Sequence, residues 1–169
     1  MAAVSGGSEP TRPVSRPAPG AKRRAPRLRR IRSQATVLVI IGTGGALGAL
    51  SRYAISLALP TPAGKMPWGV FLINISGALA LGFLLTLLVE QFPRSRMARP
   101  LMGTGFIGAY TTFSTWMVDT VALVRGGAVA TALAYLVLSL VSGLAAVVVG
   151  MAAARTLVRA RQEMRQESS

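Results

Sequence analysis

Apolar residues fall along this chain in four long runs: about Ala35 to Leu59, Trp68 to Val89, Leu101 to Val124 and Ala128 to Met151. Each is near the roughly 20 residues that an α-helix needs to cross a bilayer. Helices of a soluble bundle carry polar faces at the helical period, and these runs are apolar all round. Polar connectors separate them: Pro60 to Pro67, Glu90 to Pro100, and Arg125-Gly126-Gly127. Links this short imply antiparallel neighbours in a compact bundle. The pattern predicts an all-α membrane protein with four transmembrane helices.

Charge sharpens the division. The 169 residues are 51% hydrophobic and 14% charged, against about 25% charged in soluble domains. Nineteen Lys and Arg against five Asp and Glu give +14. Nine of the basic residues lie in 1–33 and four in 155–169, leaving six, with two acids, from Gln34 to Ala154. We therefore expect a basic tail over 1–34, a four-helix apolar domain over 35–154 and a second basic tail over 155–169. The first tail holds five Pro with Gly and Ser, too little apolar surface to offset ordering entropy, so disorder is expected there. Basic runs bind nucleic acid in some settings. Beside a bilayer the same run is a solvated segment near an anionic surface, and no nucleic-acid partner is expected. Its charged stretch is too long for a signal peptide, as is the apolar run beyond it. Counting Lys and Arg near the spans places both termini in the cytoplasm, at the cell membrane.

The composition also removes chemistry. There is no Cys and no His, hence no disulfide, thiolate nucleophile, imidazole base or zinc site of the usual kinds. The two acids of the apolar body, Glu90 and Asp119, stand far apart in sequence, so a paired-carboxylate mechanism is not expected. The chain does not read as an enzyme.

Interest then falls on the polar and small residues inside the spans. In the first, Gly44 and Gly48 form a GxxxG pair, a surface for close helix approach. Arg52 lies about 26 Å along that helix from Ala35, near its outer end. Snorkelling, anion attraction and loop tethering all fit it. The second span carries one strongly polar residue, Asn74. An unpaired amide in lipid is costly, so it bonds another helix or lines a wet path. The third runs Gly103-Thr-Gly-Phe-Ile-Gly-Ala-Tyr-Thr-Thr-Phe-Ser-Thr-Trp116. Its glycines and hydroxyl residues weaken a helix, and Thr111 falls about 15 Å past Leu101, near the midplane. We expect the helix to break there, as at many intramembrane ion sites. In the fourth, Tyr135 and Ser139 share one face. Pore wall and interhelical hydrogen-bond glue both fit that face.

These pieces resemble the fluoride channel family called Fluc or CrcB. The likeness rests on Gly44-Gly45-Ala46-Leu47-Gly48-Ala49-Leu50-Ser51-Arg52-Tyr53, on Trp68-Gly69-Val70-Phe71-Leu72-Ile73-Asn74-Ile75-Ser76-Gly77, and on Gly105-Phe106-Ile107-Gly108-Ala109-Tyr110-Thr111-Thr112-Phe113-Ser114-Thr115. They occur in order in three successive spans, and the likeness covers about residues 36–155. The resemblance implies a dual-topology dimer of antiparallel four-helix subunits whose third helices break and cross at the centre. There a structural Na⁺ would be held by the main-chain carbonyls of Gly108 and Thr111. It also implies fluoride pores lined by Asn74, Phe113 and Trp116. The hydroxyls of Thr112, Ser114, Tyr135 and Ser139 complete the expected lining as donors. Aromatic ring edges can face an anion, and with no Lys or Arg at mid-membrane the ion is not trapped.

The chain departs from the pattern at Trp116, where the family usually has Phe, at Val70 and at Ala109. Trp adds an N–H donor and bulk to the pore. Asp119, where the family usually has an acid, is expected to act as a cap or ion-pair partner. The expectation is a passive fluoride channel lowering cytoplasmic fluoride and its toxicity. Its rivals are a proton-coupled exporter of drugs or cations, which needs a membrane-embedded carboxylate, and a non-conducting partner subunit. The inverted mate is a paralogue or a second copy; the basic bias of both ends favours a paralogue.

Overall fold

The computed structural model describes residues 24–91 and 97–167, with side chains over 34–91 and 97–166. Six helical elements follow in order: α1 (Arg24–Ala58), α2 (Trp68–Glu90), a π-helical segment (Arg99–Ile107), α3 (Gly108–Tyr110), α4 (Phe113–Arg125) and α5 (Val129–Glu167). No strand occurs among the described residues. Contacts divide the chain into two units after Gln34, and the second, from Ala35, holds the bundle. In the first, helix is present from Arg24; the rest of the tail expected over 1–34 lies outside the described residues. Arg94 and Arg96, two of the basic residues of the second connector, lie outside them too.

Among the described residues three stretches are long and apolar enough to cross a membrane: Gln34–Ala58, Trp68–Glu90 and Val129–Gln166. Leu38, Leu47, Leu50, Val118, Leu144 and many other large apolar side chains face outward, the reverse of a soluble fold. The chain is an α-helical membrane protein. The last helix runs well past the Met151 boundary expected from the apolar pattern and carries Arg155, Arg159, Arg161 and Arg165. Arg155 reaches back to Glu90 at the end of α2 (3.8 Å). An exposed pair of this kind contributes under about 1 kcal/mol.

Glycines set the packing. A Cβ at Gly82 of α2 would meet the Val147 carbonyl of α5, and one at Gly150 of α5 would meet the Leu79 carbonyl of α2. These two helices therefore approach backbone to backbone. On the other side a Cβ at Gly44 would meet Leu101 O and one at Gly48 would meet Phe106 O, both in the π-helical segment. Gly105 faces back, with Ile41 O 2.7 Å and Gly44 Cα 3.2 Å from a built Cβ. The GxxxG pair thus packs within the subunit. At the end of α4, Ala128 N–H donates to Leu123 O (2.9 Å) and Gly127 N–H to Val124 O (3.1 Å). These are the paired bonds of a Schellman motif, with Gly127 at φ 78°, a conformation open to glycine. The turn folds α5 back antiparallel to α4.

Candidate functional site

The third apolar run is not one helix. A wide π-helical turn carries it from Arg99 to Ile107, a single α-turn follows to Tyr110, and the backbone then extends. Thr111 has φ −76° and ψ 156°, and Thr112 φ −146° and ψ 123°. Helix resumes at Phe113 because Thr112 caps it: its Oγ1 accepts the Thr115 N–H (3.2 Å), a preferred role for a hydroxyl at this position. The same hydroxyl meets those of Thr115 (3.0 Å) and Ser114 (3.3 Å).

Asn74 reaches this extended stretch from α2. Its Oδ1 accepts the Thr112 N–H (2.9 Å), and its Nδ2 donates to the Thr112 carbonyl (3.0 Å). The side-chain amide reads both backbone groups of Thr112, as a neighbouring strand would. Of the two roles open to Asn74 in the sequence, bonding another segment is realised, and one of its two N–H bonds remains for a ligand. A second link joins Ser76 Oγ to Tyr110 OH (2.8 Å). A Cβ at Gly77 would meet the Thr111 methyl, so Gly77 is what lets α2 come this close.

The capping and clamping have a consequence for the carbonyls. In a continuous helix Gly108 O would take the Thr112 N–H and Thr111 O the Thr115 N–H. Here Asn74 takes the first and the Thr112 hydroxyl takes the second. Both carbonyls lose their helical donors, and Gly108 is exposed.

Two cavities adjoin at Asn74 and Trp116. The first, about 300 Å³, is bounded by Asn74, Thr111, Thr112, Phe113 and Trp116 with Gly77 of α2. The second, about 250 Å³, is bounded by Asn74, Trp116, Ser139 and Gly143. Among the described residues no Lys, Arg, Asp or Glu lines either. Phe113 packs edge-on to Trp116, with ring centroids 5.6 Å apart, and is itself 71% exposed. Ser114 is exposed, and its hydroxyl engages Thr112.

Not every expected residue joins this group. Tyr135 lines neither cavity: it is fully buried in a core with Leu123 and Ala132, and Trp116 packs against it. Arg52 sits on α1, six residues from its end, and lines neither cavity. Gly44 and Gly48 face the π-helical segment. Asp119 Oδ2 is sealed without a hydrogen-bond partner among the described residues, so that atom makes neither the cap nor the ion pair expected of it. Sequence reasoning also missed the Ser76–Tyr110 link. The only signal for it was the short polar cluster Asn74 to Gly77.

Residues 39–151 match the family described as CrcB-like protein, Camphor Resistance (CrcB). The chain is 44% identical over 119 residues to "Fluoride-specific ion channel FluC 2" of Nocardia farcinica, covering 70% of this chain and 85% of that protein. Identity is 42% over 131 residues to "Fluoride-specific ion channel FluC 1" of Streptomyces coelicolor, 78% of this chain and 85% of the relative. It is 47% over 111 residues to the FluC 1 protein of Mycobacterium bovis, 65% and 83% of the two chains. The match takes in the clamp, the extended Thr111-Thr112 stretch and all the residues around both cavities, and this chain belongs to the CrcB-like family.

Proposed function

We propose that this chain forms a fluoride-specific channel for passive export of the ion across the cell membrane, with both termini in the cytoplasm. The observation that carries the reading is the uncharged, donor-bearing cavity pair at Asn74 and Trp116, beside a backbone break held open by Asn74. Fluoride is small and strongly hydrated, so its path must replace water with donors yet release the ion. Asn74 keeps a spare N–H for that purpose, and the N-terminus of α4, the positive end of its dipole, opens at the first cavity. Aromatic edges of Phe113 and Trp116 add weak positive potential. Among the described residues no fixed cation lines either cavity to trap the anion. The names of the relatives support fluoride as the ion.

The working unit in this reading is an antiparallel dimer whose mate is inverted, with the third span broken near the midplane. Its structural Na⁺ would rest on Gly108 and Thr111. Their carbonyls have lost their helical donors to Asn74 and to the Thr112 hydroxyl, which suits a small hard cation that prefers oxygen ligands. When bound, the ion supplies positive charge that locks the crossing. The numbered names of the relatives fit a mate that is a paralogue.

The test is release of fluoride from liposomes holding the purified full chain, alone and co-expressed with a paralogue from the same genome, with chloride as the comparison. Release of fluoride and not chloride is expected without any proton gradient. Equal passage of both ions, a requirement for a proton gradient, or no release from either preparation would sink the reading.

A further inference from the structure

The face that α5 turns to α2 does not end where α2 ends. Val147 and Gly150 meet the α2 backbone, and Ala154 and Val158, at the following turns, are buried. Arg161 and Arg165 continue this row at the same three- and four-residue spacing, so they share the face. By then α2 is over, with Glu90 its last residue and Gln91 its cap. A face that is apolar through the bilayer turns basic where its neighbour stops. The step leaves a cavity of about 440 Å³, walled by Glu90 and Gln91 on one side and by Arg161, Gln162, Met164 and Arg165 on the other. Its level follows from helix length. The 23 residues of α2 span about 35 Å, enough for a hydrocarbon layer of roughly 30 Å. Glu90 and Gln91 therefore stand among the headgroups, and so does the cavity they wall. Long side chains on a helix lean toward its N-terminus, which on α5 is back toward the bilayer.

Charge decides what fits. Among the described residues Glu90 is the one acid at this cavity, and Arg155 stands 3.8 Å from its carboxylate. The carbonyl end of α2, a partial negative charge, is met as well: Gln91 N–H donates to Leu87 O (2.8 Å) and Arg99 Nη2 to Leu88 O (3.4 Å). Arg161 and Arg165 therefore give the cavity a positive excess, with the amides of Gln91 and Gln162 as further donors. Guanidinium forks match the oxygens of a phosphate. We propose that this cavity binds the phosphate of an anionic lipid at the membrane surface. A free phosphate ion offers the same oxygens, but a lipid is kept at this level by its acyl chains and so meets the arginines at high effective concentration. A zwitterionic lipid brings an ammonium that the arginines repel. Arg159 and Glu163 fall toward the opposite face of α5 and do not line the cavity. The inference needs α5 to cross the bilayer and is independent of the ion that passes.

Delipidated full-length protein in a neutral detergent is titrated with phosphatidylglycerol or phosphatidylcholine, and bound lipid is counted by native mass spectrometry. The first phosphatidylglycerol should bind well below the concentration that phosphatidylcholine needs. Arg161→Gln and Arg165→Gln should each raise its half-saturating concentration about tenfold, the loss expected for one hydrogen bond to a charged group. Arg159→Gln removes the same charge from the other face and should change it less than about twofold. Equal losses in all three variants would show diffuse attraction to a basic helix and overturn the site. Equal binding of the two lipids would overturn it too. Displacement of phosphatidylglycerol by inorganic phosphate at equal concentration would make this a site for the free ion and overturn the lipid. All three arginines are exposed, so the variants should melt like the parent chain in lipid-free detergent. Added phosphatidylglycerol should raise the midpoint of the parent and of Arg159→Gln, and not that of the Arg161→Gln, Arg165→Gln double variant. A double variant stabilised as much as the parent would also overturn the site. Fluoride release plays no part in these readouts, so their failure leaves the channel reading standing.

Discussion

At the scale of single residues, Asn74 and Thr112 do more than their positions alone imply. An amide in a span reads as either a pore donor or glue, and on that basis Asn74→Ala is expected to cost flux while leaving assembly intact. The two bonds to Thr112 change the expectation. Thr112 is only 7% exposed, so truncating Asn74 strands a buried N–H and a buried carbonyl, at a cost of about 2 kcal/mol or more. Asn74→Ala should lower both fluoride release and the thermal midpoint of the purified protein. A variant that melts normally while losing flux would show that the amide serves the ion alone. The Thr112 hydroxyl is likewise a helix cap in the structure, whereas the sequence offers it only as one of four hydroxyls near a break.

Among elements, the decisive feature is how near one backbone can come to another. GxxxG spacing announces a close approach without naming the partner. The structure assigns Gly44 and Gly48 of α1 to the π-helical segment, and Gly82 and Gly150 to the α2–α5 crossing. Gly42, two residues before Gly44 on the same helix, has nothing within 4 Å of a built Cβ. Gly48→Ala should therefore destabilise the protein by about 1–3 kcal/mol, because a carbonyl of the neighbouring backbone must yield. Gly42→Ala should be neutral or slightly stabilising, since Ala favours helix. Thermal unfolding of the two variants in the same detergent measures the contrast, and equal melting of both would contradict the packing. The π-helical turn belongs to this scale too. It widens the helix before the break, and no residue pattern in Arg99–Ile107 signals i→i+5 bonding.

For the whole molecule the question is orientation. Nine basic residues precede position 34 and four follow position 154, and α5 carries its four arginines on a helix that continues to Glu167. Each basic residue near a span biases insertion toward the cytoplasm. A chain so biased inserts one way, while an antiparallel pair needs a mate inserted the other way. We expect single cysteines placed in the two tails to be labelled from the cytoplasmic side alone, and the chain expressed by itself to release little fluoride. Tails found on both faces in comparable amounts, with full release and no second gene, would establish a homodimer instead.

What the sequence by itself determined is set by the solvent. A hydrocarbon layer demands length and apolarity from any helix that crosses it, so the three long apolar helices were legible from the pattern. The motif Gly105 to Thr115 carried the family, and it marked the stretch where the backbone extends. What only the tertiary structure decided involves partners remote along the chain. Asn74 meets Thr112 across 38 residues, Tyr135 falls into the core and Ser139 onto a cavity wall, and Trp116 keeps its N–H sealed between two helices. Periodicity can say which residues share a face of one helix. Which face meets which neighbour, and which polar atoms then go unpaired, is settled by packing, where a glycine or a cap a few residues away shifts every contact.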